Sequence, residues 1–379
     1  MSLETQTLET QTLETQTLLV NRKDFAEVAL VDSDLGALEP DHIRLKIGPW
    51  ALTANNVTYM VTGDQIGYWH YFDPAHYDLM IEESDDVRWG RMPIWGYGTV
   101  TESRVDNITV GTQIYGFFPV AGAMDLKPVK LSPRGFQDGA DHRTQLHSVY
   151  NSYSFTKADP SFGAHQDLQP ILRPLFTTSF LIDDFLAREN FFGAQQVLLL
   201  SASSKTALGT AFCLKQRSNI NVAGLTGAGN KDFVAGTGFY DDVIAYDDIA
   251  SLDPSVKTAV VDMAGNGEVM ASVYAHFGEN IVYNCMVGKS HWQGVKPPKV
   301  TKGAPAVMFF APDQAKQRFA DWGADGFAQK LGERWMPFCD SASDWLSVEH
   351  GKGIEAVLST YKDLLNGVVD PSKSTLFSL

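Results

Sequence analysis

The chain has 379 residues, 44% hydrophobic and 20% charged, the balance of an ordinary globular protein with room for about two domains. Its formal net charge of −15 at pH 7 argues against a nucleic-acid or anionic-membrane surface, because both need clustered Lys and Arg. Cys213, Cys285 and Cys339 lie far apart and form no C-x-x-C or Cys/His ligand pattern, so neither a disulfide framework nor a structural zinc is expected.

No leader-like segment and no apolar run of about 18 residues stands out, which makes a cytoplasmic location the expectation and leaves the sequons at Asn56 and Asn107 with little weight. The opening residues repeat one unit, LETQT, up to Thr17. A period of five fits neither helix nor strand, so residues 1–17 are expected to be a tail and the fold to begin near Leu18. The stretches LLVNRKDF, HIRLKIGPWALT, WGYGTVTES and VDNITVGTQIYGFFPV then carry alternating or apolar runs, with Gly96, Gly98, Gly111 and Gly116 as bends. They predict a small, curled β-domain over 18–171.

From about Leu172 the pattern changes. LFTTSFLIDDFLAREN has helical spacing, and QQVLLLS is a short, fully apolar strand followed by the helix KTALGTAFCLKQR. INVAGLT, DVIAYDD, TAVVDMAG and NIVYNCMVG read as further strands, with the helices NKDFVAGT and GEVMASVYAHF between them. This alternation predicts a doubly wound parallel sheet over 172–297. In 298–379, APAVMFFAP reads as a strand, and the segments around AKQRFADW and GIEAVLSTYKDLL read as helices.

A parallel sheet binds ligands at the carboxyl ends of its strands, where the first strand–helix turn offers backbone N–H groups to a phosphate. In SASSKTALG, Ser201, Ser204 and Ala207 sit three apart, the period of a glycine-rich phosphate loop. Serine hydroxyls can donate to phosphate, and Lys205 adds a positive charge. The same segment also suits an ordinary N-cap, with Ser203 or Ser204 starting a helix. An NAD site wants an acid at the end of the second strand, bonded to the ribose 2′-hydroxyl. Here that end carries Gly224, Leu225 and Thr226, with Lys231 following, which suits a 2′-phosphate and hence NADP(H). The alternative for Lys231 is a solvated surface lysine. YSFTK, from Tyr153 to Lys157, has the Y-x-x-x-K spacing of short-chain dehydrogenases but precedes the nucleotide unit instead of following it. GLTGAGNKD lacks the ending of a P-loop, and no G-x-S-x-G elbow is present.

On these residues the chain resembles the medium-chain dehydrogenase/reductase superfamily, in its zinc-free quinone-oxidoreductase branch, and more narrowly an uncharacterised subgroup labelled only as a domain of unknown function. IRLKIGPWALTANNVTYMVTG is similar to the segment in which a strand leads into an Asn-containing turn and helix. MPIWGYGTVTES with VDNITVGTQIYGFF is similar to the GroES-like glycine signature, and NVAGLTGAGNKDFVAGTGFYDDVIAY tracks the second strand, helix and third strand. The resemblance implies an α/β fold: a GroES-like β-domain interrupted by a Rossmann domain, with the active site in the cleft between them. It places Lys231 and Tyr246 at a 2′-phosphate, Thr177 or Thr178 near the nicotinamide, and Gly265 and Gly288 at later strand ends. It implies a small-molecule substrate, and homodimers are common in that branch; the acidic charge, in turn, leads us to expect no nucleic-acid or membrane partner. ALTANNVTYM has no counterpart of the zinc-ligand Cys and His, which disfavours metal-assisted alcohol oxidation.

Without metal, reduction of an enone or quinone needs cofactor orientation, exclusion of water and a proton donor. Tyr59 is the first candidate donor and Tyr68 the second. The alternative for Tyr59 is a buried aromatic whose hydroxyl is satisfied by backbone. Three functions follow: an NADPH-dependent reductase of a quinone or activated C=C, a non-catalytic NADPH-binding sensor or scaffold, or a reductase of a different carbonyl class acting through an enlarged cleft segment. The segment from Gln137 to Leu172 is longer than the resembling proteins carry there, and it is expected to line the cleft or an oligomer contact.

Overall fold

The structure, a computed structural model, describes residues 14–77, 79, 81–289 and 302–379. Strands β1 (Glu14–Asn21) and β2 (Val28–Asp34) form an antiparallel hairpin. The last copy of the five-residue repeat therefore enters a strand. Thr17 is buried there: its hydroxyl donates to the Val120 carbonyl and accepts from Arg91 Nε at 3.0 Å. The expected tail ends earlier than Leu18, because backbone pairing with β2 does not depend on side-chain period.

Strand β3 (Ile43–Ala51) leads into helices α1 (Ala54–Val61) and α2 (Gly63–Ile66). The buried amide of Asn56 fixes the start of α1, accepting from Thr53 N at 2.7 Å and donating to the Pro93 carbonyl at 2.8 Å. That pairing takes the first sequon's asparagine out of solvent. Strands β4 (Trp89–Gly90), β5 (Pro93–Ser103), β6 (Gln113–Pro119), β7 (Ala123–Leu126), β8 (Pro128–Ser132), β9 (Gly135–Asp138) and β10 (Ser152–Phe155) follow. β4 joins the β1–β2 hairpin, and the rest extend an antiparallel sheet built on β3. Gly96 lets β5 cross β3 closely, since a Cβ there would lie 2.4 Å from Trp50 Cβ.

After α3 (Pro160–Ala164), α4 (Leu168–Arg188) runs into the parallel sheet. The elements β11 (Gln196–Leu200), α5 (Lys205–Lys215), β12 (Asn221–Thr226), α6 (Lys231–Gly236), β13 (Asp242–Ala245), β14 (Thr258–Asp262), α7 (Gly267–Phe277), β15 (Ile281–Met286) and β16 (Ala306–Met308) then alternate. The sheet order is β13-β12-β11-β14-β15-β16, all parallel. β11 and β14 are buried at every position, as their unbroken apolar runs require. The sheet passes the expected boundary at 297, because β16 adds a sixth strand beside β15.

The chain closes with α8 (Ala311–Ala342), β17 (Ser347–Lys352), α9 (Gly353–Leu365) and β18 (Lys373–Ser378). β18 lies parallel to β17 and antiparallel to β3, so the C-terminus returns to the first sheet. The fold is α/β, a GroES-like antiparallel domain with a Rossmann domain inserted. Cys213, Cys285 and Cys339 all lie in the core on one face of the parallel sheet. Among the described residues no helix is long and apolar enough to cross a membrane.

Candidate active site

Strand order reverses between β11 and β14, and a crevice at the carboxyl ends follows from that reversal. A cleft of about 1210 Å3 opens there. One wall comes from the parallel sheet, the facing wall from α1, β5 and the 137–154 segment, and the rim from the loop before β18.

The serine turn forms the phosphate end. Ser201, just past β11, has φ +53°, the left-handed backbone that glycine favours. The glycine has been replaced, but its conformation is kept. The turn closes as Ser204 N donates to the Ser201 carbonyl at 2.8 Å and Ala202 N to the Leu225 carbonyl at 3.1 Å. Ser204 caps α5, its hydroxyl accepting from Ala207 N at 3.3 Å. Ser203 accepts from Asn230 Nδ2 at 3.2 Å, which ties the turn to the start of α6. The N–H groups of Lys205 and Thr206 fall in the first helical turn and have no intrahelical acceptor.

Ser201, Ser203, Ser204 and Lys205 all line the cleft, with Thr226 at the end of β12 and Tyr246 after β13. Ser201 and Tyr246 bring their hydroxyls to 3.5 Å. Thr177 and Thr178 line it from α4, their hydroxyls donating to the carbonyls of Arg173 and Pro174. Gly288 lines it after β15, where a Cβ would lie 2.3 Å from the Met263 carbonyl oxygen.

Three expected residues, Ala207, Gly265 and Lys231, lie off the wall. Ala207 is fully buried, because the third position of α5 turns onto the sheet. Its small size serves helix–sheet packing. Gly209 faces α4 instead, where a Cβ would lie 2.7 Å from Ser179 Oγ. Gly265 sits in the turn after β14 at φ +72°, its N–H held by Asp262 at 2.9 Å, behind Gly288. Lys231 opens α6 half-buried, beside the wall residue Asn230, and forms no ion pair among the described residues.

Lys205 crosses the mouth. Its ammonium donates to the carbonyls of Lys373 at 3.2 Å and Pro371 at 3.5 Å. Burial pulls its pKa down to about 8, against the opposing pull of Asp370.

The opposite end is aromatic. Tyr59 on α1 and Tyr68 pack with centroids 4.6 Å apart and planes tilted by 55°, and Tyr150 meets Tyr68 edge-on at 5.2 Å. The Tyr68 and Tyr150 hydroxyls share a 2.9 Å hydrogen bond. Tyr59 differs: its oxygen accepts from Trp95 Nε1 at 2.9 Å, and Asn55 also favours its phenolate. Trp Nε1 can only donate, so the Tyr59 proton is free to point elsewhere. Burial raises the Tyr59 pKa far above the usual phenol range and pushes Tyr68 up to about 12. Trp95 and Tyr150 carried no sequence signal of their own. They join the site through pairing of β5 and through the 137–154 segment.

That segment does line the cleft, through Gln137, Val149, Tyr150 and Ser154. The Tyr153–Lys157 spacing is structural. Tyr153 is buried, its hydroxyl donating to the Phe117 carbonyl at 2.8 Å, and Lys157 is exposed.

Residues 50–370 match the model for a family described as a protein of unknown function, DUF2855. No curated protein matches the sequence. Among solved structures, CurA from Vibrio vulnificus is similar at 13% identity and a TM-score of 0.57, over 96% of this chain and 99% of that one. The quinone oxidoreductase from Coxiella burnetii is similar at 14% and 0.51, over 97% and 100%. TarJ from S. aureus, solved with NADPH, is similar at 10% and 0.53, over 97% and 99%. The likeness is one of fold.

Proposed function

We propose that this chain, which belongs to the DUF2855 family of proteins of unknown function, is an NADP(H)-dependent reductase of a quinone or another activated C=C. One observation carries the reading. A left-handed turn at Ser201 delivers the N-terminus of α5 to a cleft wall where the neighbouring strand, β12, ends in Thr226 without a carboxylate.

The donor set fits the cofactor. Ser203, Ser204 and the first N–H groups of α5 suit a pyrophosphate. Thr226, Asn230 and Lys231 suit a 2′-phosphate, and Gly288 lets the chain after β15 pass close to the Met263 carbonyl at the cleft wall. When bound, NADPH supplies the electrons and hydrogen for the reduction. The chain's own residues position the substrate and exclude water. Tyr59 holds a proton at its hydroxyl, aimed away from Trp95, ready for the enolate oxygen that develops.

The alternative is a non-catalytic NADPH-binding protein. It is favoured by a single contact, the commitment of Lys205 to the Lys373 and Pro371 carbonyls.

The test measures NADPH and NADH binding by fluorescence, then turnover on an enone and quinone panel. Lys231→Ala should weaken NADPH by about 10- to 100-fold and leave NADH nearly unchanged, as loss of one charge-assisted phosphate contact requires. Tyr59→Phe should lower turnover by about 100-fold or more at unchanged NADPH affinity. Binding without turnover on any substrate favours the alternative, and absence of NADPH binding overturns both.

A further inference from the structure

We propose that the substrate carries a long hydrocarbon chain, received by an apolar arm of the cleft between α4 and α8. The chemistry at the substrate's head rests on the reductase reading; the tail site does not.

The arm is continuous with the cleft that holds Tyr59. On α4 it is lined by Pro174, Thr178 and Leu181, spaced four and three apart on one helix face. Facing them on α8 are Ala311, Ala315 and Phe319, one residue every helical turn. Two of these three facing positions are alanine, so the helices leave space where larger side chains would interlock. Gly323, at φ +69°, breaks α8 and folds its second half back. Phe327 then packs against Phe319, ring centroids 4.4 Å apart and planes tilted by 37°, and closes the far end, with Leu331 beside it.

No charged residue stands among these lining positions. The single hydroxyl, Thr178 Oγ1, is already spent on the Pro174 carbonyl. Water in the arm would find few partners among these side chains, which favours apolar ligands. Leu181, Ala315 and Phe327 are buried from bulk solvent, whereas Phe319 is 40% exposed at the outer side of the closed end. From Ala311 to Phe319, eight residues at about 1.5 Å rise span about 12 Å, the reach of roughly nine methylenes. The head end offers Tyr59, Tyr68 and Trp95, flat walls for a planar conjugated group. An amphipathic molecule with a planar electrophilic head and an alkyl or prenyl tail matches both ends.

The experiment titrates the full chain, without cofactor, with 2-hexanone, 2-decanone and 2-tetradecanone by calorimetry. Affinity should rise about threefold per added methylene up to roughly ten carbons and then level off. In Ala315→Trp the ratio of tetradecanone to hexanone affinity should collapse toward one. If that variant does not fold, Phe319→Asp, at an exposed position, gives the second readout and should lower the same ratio. Wild-type affinity that does not change with chain length overturns the proposal, as does a length dependence that survives the variant read. Turnover of the matching 2-alkenones with NADPH is scored separately. Length-dependent binding without turnover keeps the tail site and sinks the reductase reading; turnover without length dependence does the reverse.

Discussion

At the scale of single residues, Ser201 and Lys205 define the turn. A serine at φ +53° costs on the order of 1 kcal/mol relative to glycine, so its backbone there is held by the surrounding structure. The letters SASS hid the glycine conformation, and only the three-residue spacing hinted at it. Spacing could not separate wall from core either. Ala207 shared the period of Ser201 and Ser204, yet helical phase turned it inward. Lys205 carries a prediction. Its pKa is about 8 in the fold, against an ordinary 10.5. Between those values the unfolded chain binds a proton that the folded chain lacks, so stability rises with pH across that window. Chemical denaturation of wild type and Lys205→Met at pH 7.5 and 9.5 should show the wild type gaining on the variant at the higher pH. A constant difference would show that the amine is not desolvated.

At the scale of elements, the parallel strands were legible because strands buried on both faces are short apolar runs. The 137–155 segment was not, because one arginine organises it. Arg143 is fully buried and donates to Asp138 at 2.8 Å, Asn151 at 2.8 Å, the Tyr150 carbonyl at 2.9 Å and the Tyr153 hydroxyl at 3.1 Å. These contacts present Tyr150 to the cleft. Nothing in an isolated HRTQLHSVYNSY tells a buried arginine from a surface one. Arg143→Met should cost about 3–5 kcal/mol in denaturant unfolding, because it leaves Asp138 charged and unpaired. Adding Asp138→Asn should recover part of that loss. If the single variant loses under 1 kcal/mol, the network does not hold the segment.

At the scale of the whole molecule, the C-terminus stitches the two domains. β18 completes the first sheet, and the residues just before it receive Lys205 from the second domain. Phe377 in β18 is buried against Trp50 of β3, with ring centroids 5.3 Å apart. Phe377→Ala should cost about 3–5 kcal/mol, read as a lowered denaturation midpoint. A cost below 1 kcal/mol would mean the terminal strand is dispensable. The sequence marked 298–379 as a return to the first domain but gave no sign of which strand β18 would join, since that pairing is with β3, more than three hundred residues away.

The three cysteines make the inserted domain its own timekeeper. Each lies on a different element, α5, β15 and α8, and burial pushes each thiol's pKa up. A thiol-blocking reagent finds no accessible thiolate while the fold is closed. Its uptake, followed by mass, therefore counts opening events. Which cysteine is capped first reports whether the sheet, the helix after the serine turn, or the long C-terminal helix lets go first.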